Sequence, residues 1–216
     1  RDANLCESAE ETFTVTVNAL PTASITGDSE VCQNGSLQLT GSGAAELSWN
    51  GAAYGATTTY DVTTTASGSQ NITLKVRDAN LCESAEETFA VTVNALPTAV
   101  MTGDAEVCQN GSLQLTGSGA AELSWNGAAY GATTTYDVTT TASGSQNITL
   151  KVRDANLCES AGETFTVTVN ALPTAVITGD SEVCQNGSLQ LTGSGAAELS
   201  WNGAAYGATT TYDVTT

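Results

Sequence analysis

Apolar and polar residues alternate along this chain with a period of two, in short bursts. Ile72, Leu74 and Val76 are separated by Thr73 and Lys75, and Phe89, Val91 and Val93 by Ala90 and Thr92. Successive side chains of a strand point to opposite faces, so each burst puts its apolar members on one side of a sheet. The pattern predicts strands over 22–26, 36–40, 46–50, 58–64, 70–77 and 88–94. Between them lie GDSE, QNG, GSGAA, NGAAYG, ASGS and RDAN, each dense in turn-forming residues. No stretch carries the 3.6-residue period of a helix. Six or seven short strands in so short a span predict an all-β fold, an Ig-like antiparallel β-sandwich.

The pattern also repeats on a longer scale. RDANLCESAEETF at Arg1 returns at Arg77 and, as RDANLCESAGETF, at Arg153; 77 − 1 and 153 − 77 both give 76. Residues 1–76 and 77–152 differ only at Thr14/Ala90, Ser24/Val100, Ile25/Met101 and Ser29/Ala105. Cut at its prolines, the chain reads as a window on a longer array. Residues 1–20 are the C-terminal strand of a preceding repeat, 21–96 and 97–172 are full repeats, and 173–216 is a truncated one. The linker Asn94-Ala95-Leu96-Pro97-Thr98 is short and stiffened by proline, which predicts tandem sandwiches in a semi-rigid rod or filament. Near-identical copies add length or valency and give no copy a site the others lack.

Composition narrows the chemistry. The chain has no histidine, the commonest general base and transition-metal ligand, so we expect no catalytic residues and no enzyme. Its 23 acids against 5 bases, a net charge of −18, are unsuited to nucleic acid or to anionic lipid. No apolar run approaches the ~18 residues of a membrane span, so no membrane insertion is expected in this window.

Each unit carries Val31, Cys32 and Gly35 before a strand, Trp49 and Gly51 after another, and Asp78, Ala79, Asn80 and Cys82 following the long strand. On these motifs, over every residue of every copy, the chain resembles the Ig-like and PKD-like tandem repeats of giant secreted surface adhesins of Bacteroidota, including those of gliding motility. Leu81 stands where that family has glycine, Ile72 where it has tyrosine, and the WDFGDG signature of PKD domains is absent. The resemblance implies an extracellular stalk or filament at the cell surface, giving length, stiffness and multivalent attachment. Its partners would be neighbouring repeats, identical chains in a filament, and a surface glycan or substratum. The alternatives are a carbohydrate-binding module array and the spacer domains of a secreted enzyme.

Six cysteines fall two to a repeat. A zinc site needs further soft ligands or histidines close by, and a nucleophile needs a base and a positive environment. Cys82 has Glu83, Glu86 and Glu87 instead, so the cysteines are expected to be disulfide staples. The intradomain pairing is the natural choice, with an interdomain one as the alternative. Cys32–Cys82 and Cys108–Cys158 close a loop of about 50 residues inside one repeat, worth roughly 4 kcal/mol. In ordinary Ig strand order, however, Cys32 lies at one end of the sandwich and Cys82 at the other, over ~20 Å apart, and the interdomain pair Cys32–Cys158 answers that objection.

Two further sets of residues are candidates. Asp28 and Glu30 near Asp154, Asn156 and Glu159 could hold Ca²⁺ where repeats meet, or could be solvated turn residues. No other cofactor is expected. Tyr54, Tyr130 and Tyr206, in Gly/Ala-rich loops, are candidate glycan contacts, whereas Trp49 alternates with polar neighbours and belongs to the core.

Overall fold

The structure, a computed structural model, describes residues 1–215; Thr216, at the end of the segment 173–216, lies outside the described residues. Repeat 21–96 contains β1 (Ser24–Thr26), β2 (Glu30–Cys32), β3 (Gln38–Ser42), β4 (Glu46–Trp49), β5 (Thr59–Asp61), β6 (Gly68–Arg77) and β7 (Glu87–Asn94). They form two sheets, ordered β1-β3-β5 and β2-β7-β6-β4. Neighbouring strands are antiparallel except β2 and β7, which run parallel with Glu30 opposite Thr92 and Cys32 opposite Asn94. This is an Ig-like β-sandwich.

The period-two pattern builds its core. Leu39 from the first sheet meets Leu74, Val76 and Val91 from the second, all four fully buried, with Trp49 and Ile72 beside them. The ring of Trp49 stacks on Tyr60 at 5.5 Å between centroids. Gly41 makes room for that indole: a Cβ there would lie 2.6 Å from Trp49 Cζ2 and 2.8 Å from Leu47 Cδ2. After β4 the chain reverses through Asn50 (φ 48°) and Gly51 (φ 75°), the left-handed pair that suits a two-residue turn. The side chain of Asn50 then ties that turn to the sheet, accepting from Thr73 N at 2.8 Å and donating to Tyr60 Oη at 2.9 Å.

Repeat 97–172 has the same two-sheet topology. Its strands are β8 (Val100–Thr102), β9 (Glu106–Cys108), β10 (Gln114–Ser118), β11 (Glu122–Trp125), β12 (Thr135–Asp137), β13 (Gly144–Arg153) and β14 (Glu163–Asn170), with sheets β12-β10-β8 and β11-β13-β14-β9. Segment 173–216 has β15 (Val176–Thr178), β16 (Ser188–Ser194) and β17 (Thr211–Thr215) in one three-stranded sheet. By contact the chain divides into two compact units, which do not follow the repeat boundaries. The first is 1–98 with 120–122 and 152–161; the second is 99–119, 123–151 and 162–216.

Two expectations need correction. Strand β2 was not anticipated, because three residues between Gly27-Asp28-Ser29 and Gln33-Asn34-Gly35 are too few to show a period, and their partner β7 lies over 50 residues away. The strand expected over 58–64 is centred on Thr59–Asp61, and its backbone bonding runs on to either side, with Gly41 N donating to Thr58 O at 2.7 Å and Val62 N to Leu37 O at 2.9 Å. Residues 1–20, expected to hold the last strand of a repeat, contain no strand and are exposed throughout.

Candidate functional site

The candidate feature that the fold builds is a disulfide between two repeats. Strand β2 ends at Cys32, half-buried at the edge of its sheet, and Cys32 is disulfide-bonded to Cys158 with 5.5 Å between Cα atoms. Cys158 is fully buried, in the turn that follows β13. Both cysteines belong to the first compact unit.

The pairings Cys32–Cys82 and Cys108–Cys158 are therefore not formed; Cys82 is a half-buried thiol and Cys108 an exposed one. Register gives the reason. Cys32 sits opposite Asn94, next to the level where Gly68 pairs with Val93, while Cys82 follows Arg77 at the far end of β6. From Gly68 to Arg77 is nine steps of strand, about 30 Å at ~3.3 Å per residue, and a disulfide needs Cα atoms within about 7 Å.

The turn that presents Cys158 is fixed by its own sequence. Asp154 Oδ1 accepts from Asn156 N at 3.0 Å and from Cys158 N at 2.9 Å. Asp154 N donates to Cys158 O, and Leu157 N to Asp154 O, each at 3.1 Å. Ser160 closes the loop on Val152, donating its N to Val152 O and accepting from Val152 N through Oγ, both at 2.9 Å. An aspartate that accepts from backbone two and four residues on is the side-chain mimic of a turn. Asp78 makes the same bonds to Asn80 N and Cys82 N. Leu157 (φ 63°) and Leu81 (φ 64°) are left-handed, and both are about two-thirds exposed. That conformation suits glycine and costs a leucine about 1–2 kcal/mol.

These bonds bear on the Ca²⁺ candidates. Asp154 already accepts two backbone amides, and Asn156 and Glu159 are exposed, Glu159 pairing its backbone with Arg153. Asp28 is exposed, and Glu30 meets Asn94 Nδ2 only at 3.5 Å. Among the described residues no three acidic or cysteine side chains gather in a metal-binding group.

The tyrosines divide. Tyr54 is half-buried, with the Arg77 guanidinium over its ring at 4.5 Å, and Arg77 in turn pairs with Glu46 at 2.8 Å. Burial, then the nearby Glu83 carboxylate, pushes the Tyr54 phenol above its ordinary 10.0, with Arg77 acting the other way. One face of the ring is thus taken by a cation and is closed to a sugar. Tyr130 is also half-buried, whereas Tyr206 is 74% exposed. Trp49 is core, with its Nε1 donating to Thr57 O at 3.2 Å.

Comparison with known proteins adds little to this geometry. No family model matches the chain, and no curated protein matches it. Among solved structures it is similar to the fibronectin(III)-like modules of Clostridium thermocellum CbhA, at 13% identity over 68% of this chain and 95% of that one, with a TM-score of 0.38. It is also similar to the D00-D0 domain of Intimin, at 11% identity over 69% and 99%, with a TM-score of 0.35. A third is the glucan-utilization protein SGBP-B of Bacteroides ovatus, in complex with a mixed-linkage heptasaccharide, at 14% identity over 69% and 45%, with a TM-score of 0.20.

The period narrows the joint to two spacings. Cysteines recur at 6, 82 and 158 in the turn and at 32, 108 and 184 in the strand region. A turn cysteine lies 50 residues after a strand cysteine in its own repeat (82 − 32) and 126 after one in the previous repeat, and the bridge spans 126.

Proposed function

We propose that this chain is a load-bearing structural segment: the stalk or filament region of a secreted cell-surface adhesin, in which sandwiches serve as spacers rather than as catalysts. The observation that carries the reading is the Cys32–Cys158 bond, which ties one repeat covalently to the turn of the next. A bond between repeats contributes little to chemistry but holds neighbouring spacers in a fixed order, which is what length and stiffness require. A disulfide also belongs to an oxidising compartment, in keeping with an extracellular location. The net charge of −18 suits a solvated stalk whose copies must not collapse on one another. The glycan-binding alternative has less behind it, because Arg77 covers the Tyr54 ring.

Immunogold labelling of intact source cells with an antibody to the folded repeat tests the proposal. Gold in lines projecting from the surface is the expected result. Label confined to the cytoplasm, or a turnover activity of the purified chain abolished by one substitution, would overturn it.

A further inference from the structure

Of the cysteines outside the joint, Cys108 and Cys82 stand in surroundings that copy its two halves. Cys108 ends β9 opposite Asn170, in the same parallel register in which Cys32 ends β2 opposite Asn94. The chain leaves both in the same way: Gln109 N donates to Asn170 O as Gln33 N does to Asn94 O, each at 2.8 Å. Asn110 (φ 63°) repeats Asn34 (φ 64°). On the other side, Asp78 Oδ1 holds Cys82 N at 2.9 Å as Asp154 Oδ1 holds Cys158 N, and Ser84 Oγ accepts from Val76 N as Ser160 Oγ does from Val152 N.

Resting on the stalk reading, we infer that Cys108 and Cys82 are half-sites for other copies of the same repeat. Cys108 receives the Asp-Ala-Asn-Leu-Cys turn of a following copy, and Cys82 inserts into the strand-end cysteine of a preceding one. The argument does not rest on a lone thiol. Cys32, in the same setting as Cys108, is seen holding that very turn. The partner is therefore specified by example: another copy of this repeat, placed so that its turn cysteine falls 126 residues after the strand cysteine.

The intradomain alternative is excluded for Cys108 by the distance that excludes it for Cys32. Cys158, the turn cysteine of its own repeat, is at the far end of β13 and already bonded. Each joint forms by oxidation of two thiols to one S–S bond. The two protons and two electrons pass to a disulfide oxidant such as glutathione disulfide, whose S–S bond breaks to give two thiols. Because 126 exceeds the 76-residue period, consecutive joints enclose overlapping loops. Residues 108–158 would lie inside two loops at once, so a single backbone cut there would not part the molecule.

The test lengthens the chain after Thr216 with a copy of residues 141–172, completing the third repeat with a sequence that folds as β13 and β14 in the second. Both chains are refolded in a glutathione redox buffer, and thiols are titrated after denaturation. The longer chain has one cysteine more, yet its titre is expected to fall by one, with the added cysteine mapped to Cys108. Cys108→Ser in the longer chain should raise the titre by one and leave Cys32–Cys158 in place. A titre that rises by one on lengthening overturns the inference, as does a bridge from the added cysteine to Cys82 or Cys184. Intact Cys32–Cys158 and unchanged circular dichroism show that folding has not failed. The stalk reading is tested separately at the cell surface, so the two failures can be told apart.

Discussion

Residues 11–18 and 163–170 carry the same eight letters, ETFTVTVN, in opposite structural states. The second copy is β14, held between β13 and β9, with Val167 and Val169 0% and 2% exposed. The first is no strand at all: Val15 and Val17 are 69% and 89% exposed and Phe13 91%. Nothing local distinguishes them. What differs is the presence of a β13-like and a β9-like strand on either side. A strand has no internal hydrogen bonds, so its backbone is satisfied only by neighbours, and its apolar face gains the ~1.5–3 kcal/mol per side chain only when something covers it. The same lesson holds for segment 173–216. Ile25 and Met101 are 8% and 9% exposed, but their counterpart Ile177 is 63% exposed on a sheet without a second sheet across from it.

The contrast can be broken most forcefully at the joint. Cys32→Ser removes a cross-link closing 126 residues, worth about 5 kcal/mol by chain entropy, whereas Cys108→Ser, identical in local sequence, should change stability by less than about 0.5 kcal/mol. Denaturant midpoints of the two variants check this, and equal losses would contradict it. Next in size, Val167→Ala opens a void in a packed sheet and is expected to cost roughly 2 kcal/mol, while Val15→Ala at the matching letter costs nothing measurable. Thermal melts followed by tryptophan fluorescence distinguish them.

Gly41→Ala pushes a methyl into the indole of Trp49 and should cost about 1–3 kcal/mol. Gly193→Ala meets Trp201 Cζ2 at 2.8 Å, but Trp201 is only half-buried and can move aside, so the loss there should be well under about 1 kcal/mol. The smallest effect has the opposite sign. Leu157→Asn relieves a left-handed leucine whose side chain is 65% exposed, and should raise stability by about 0.5–1 kcal/mol in a urea titration.

Much of this was legible from letters alone, for physical reasons. The alternation of Ile72, Leu74 and Val76 reports burial on one face and needs no partner to be read. Asn50-Gly51 reports its turn because few other pairs take two left-handed residues. Strand β2 was hidden because it is short and pairs in parallel with β7, a contact made across the sequence. The disulfide was half legible: strand length told against the favoured Cys32–Cys82 pair, but choosing Cys158 required the register that sets Cys32 beside Asn94. Asp154 was read both as a turn residue and as a cation ligand, and its bonds to Asn156 N and Cys158 N put it in the turn.

The central claim is that the staple joins successive repeats rather than the two ends of one. Natural differences between the copies make it directly readable: Ser24-Ile25 marks the strand peptide of the first repeat against Val100-Met101 and Val176-Ile177, and Gly162 marks the turn peptide of the second against Glu86. Mass spectrometry of the non-reduced, protease-cut chain should find the Ser24-Ile25 peptide bonded through Cys32 to the Gly162 peptide through Cys158. The same strand peptide bonded instead to the Glu86 peptide through Cys82 would contradict the account.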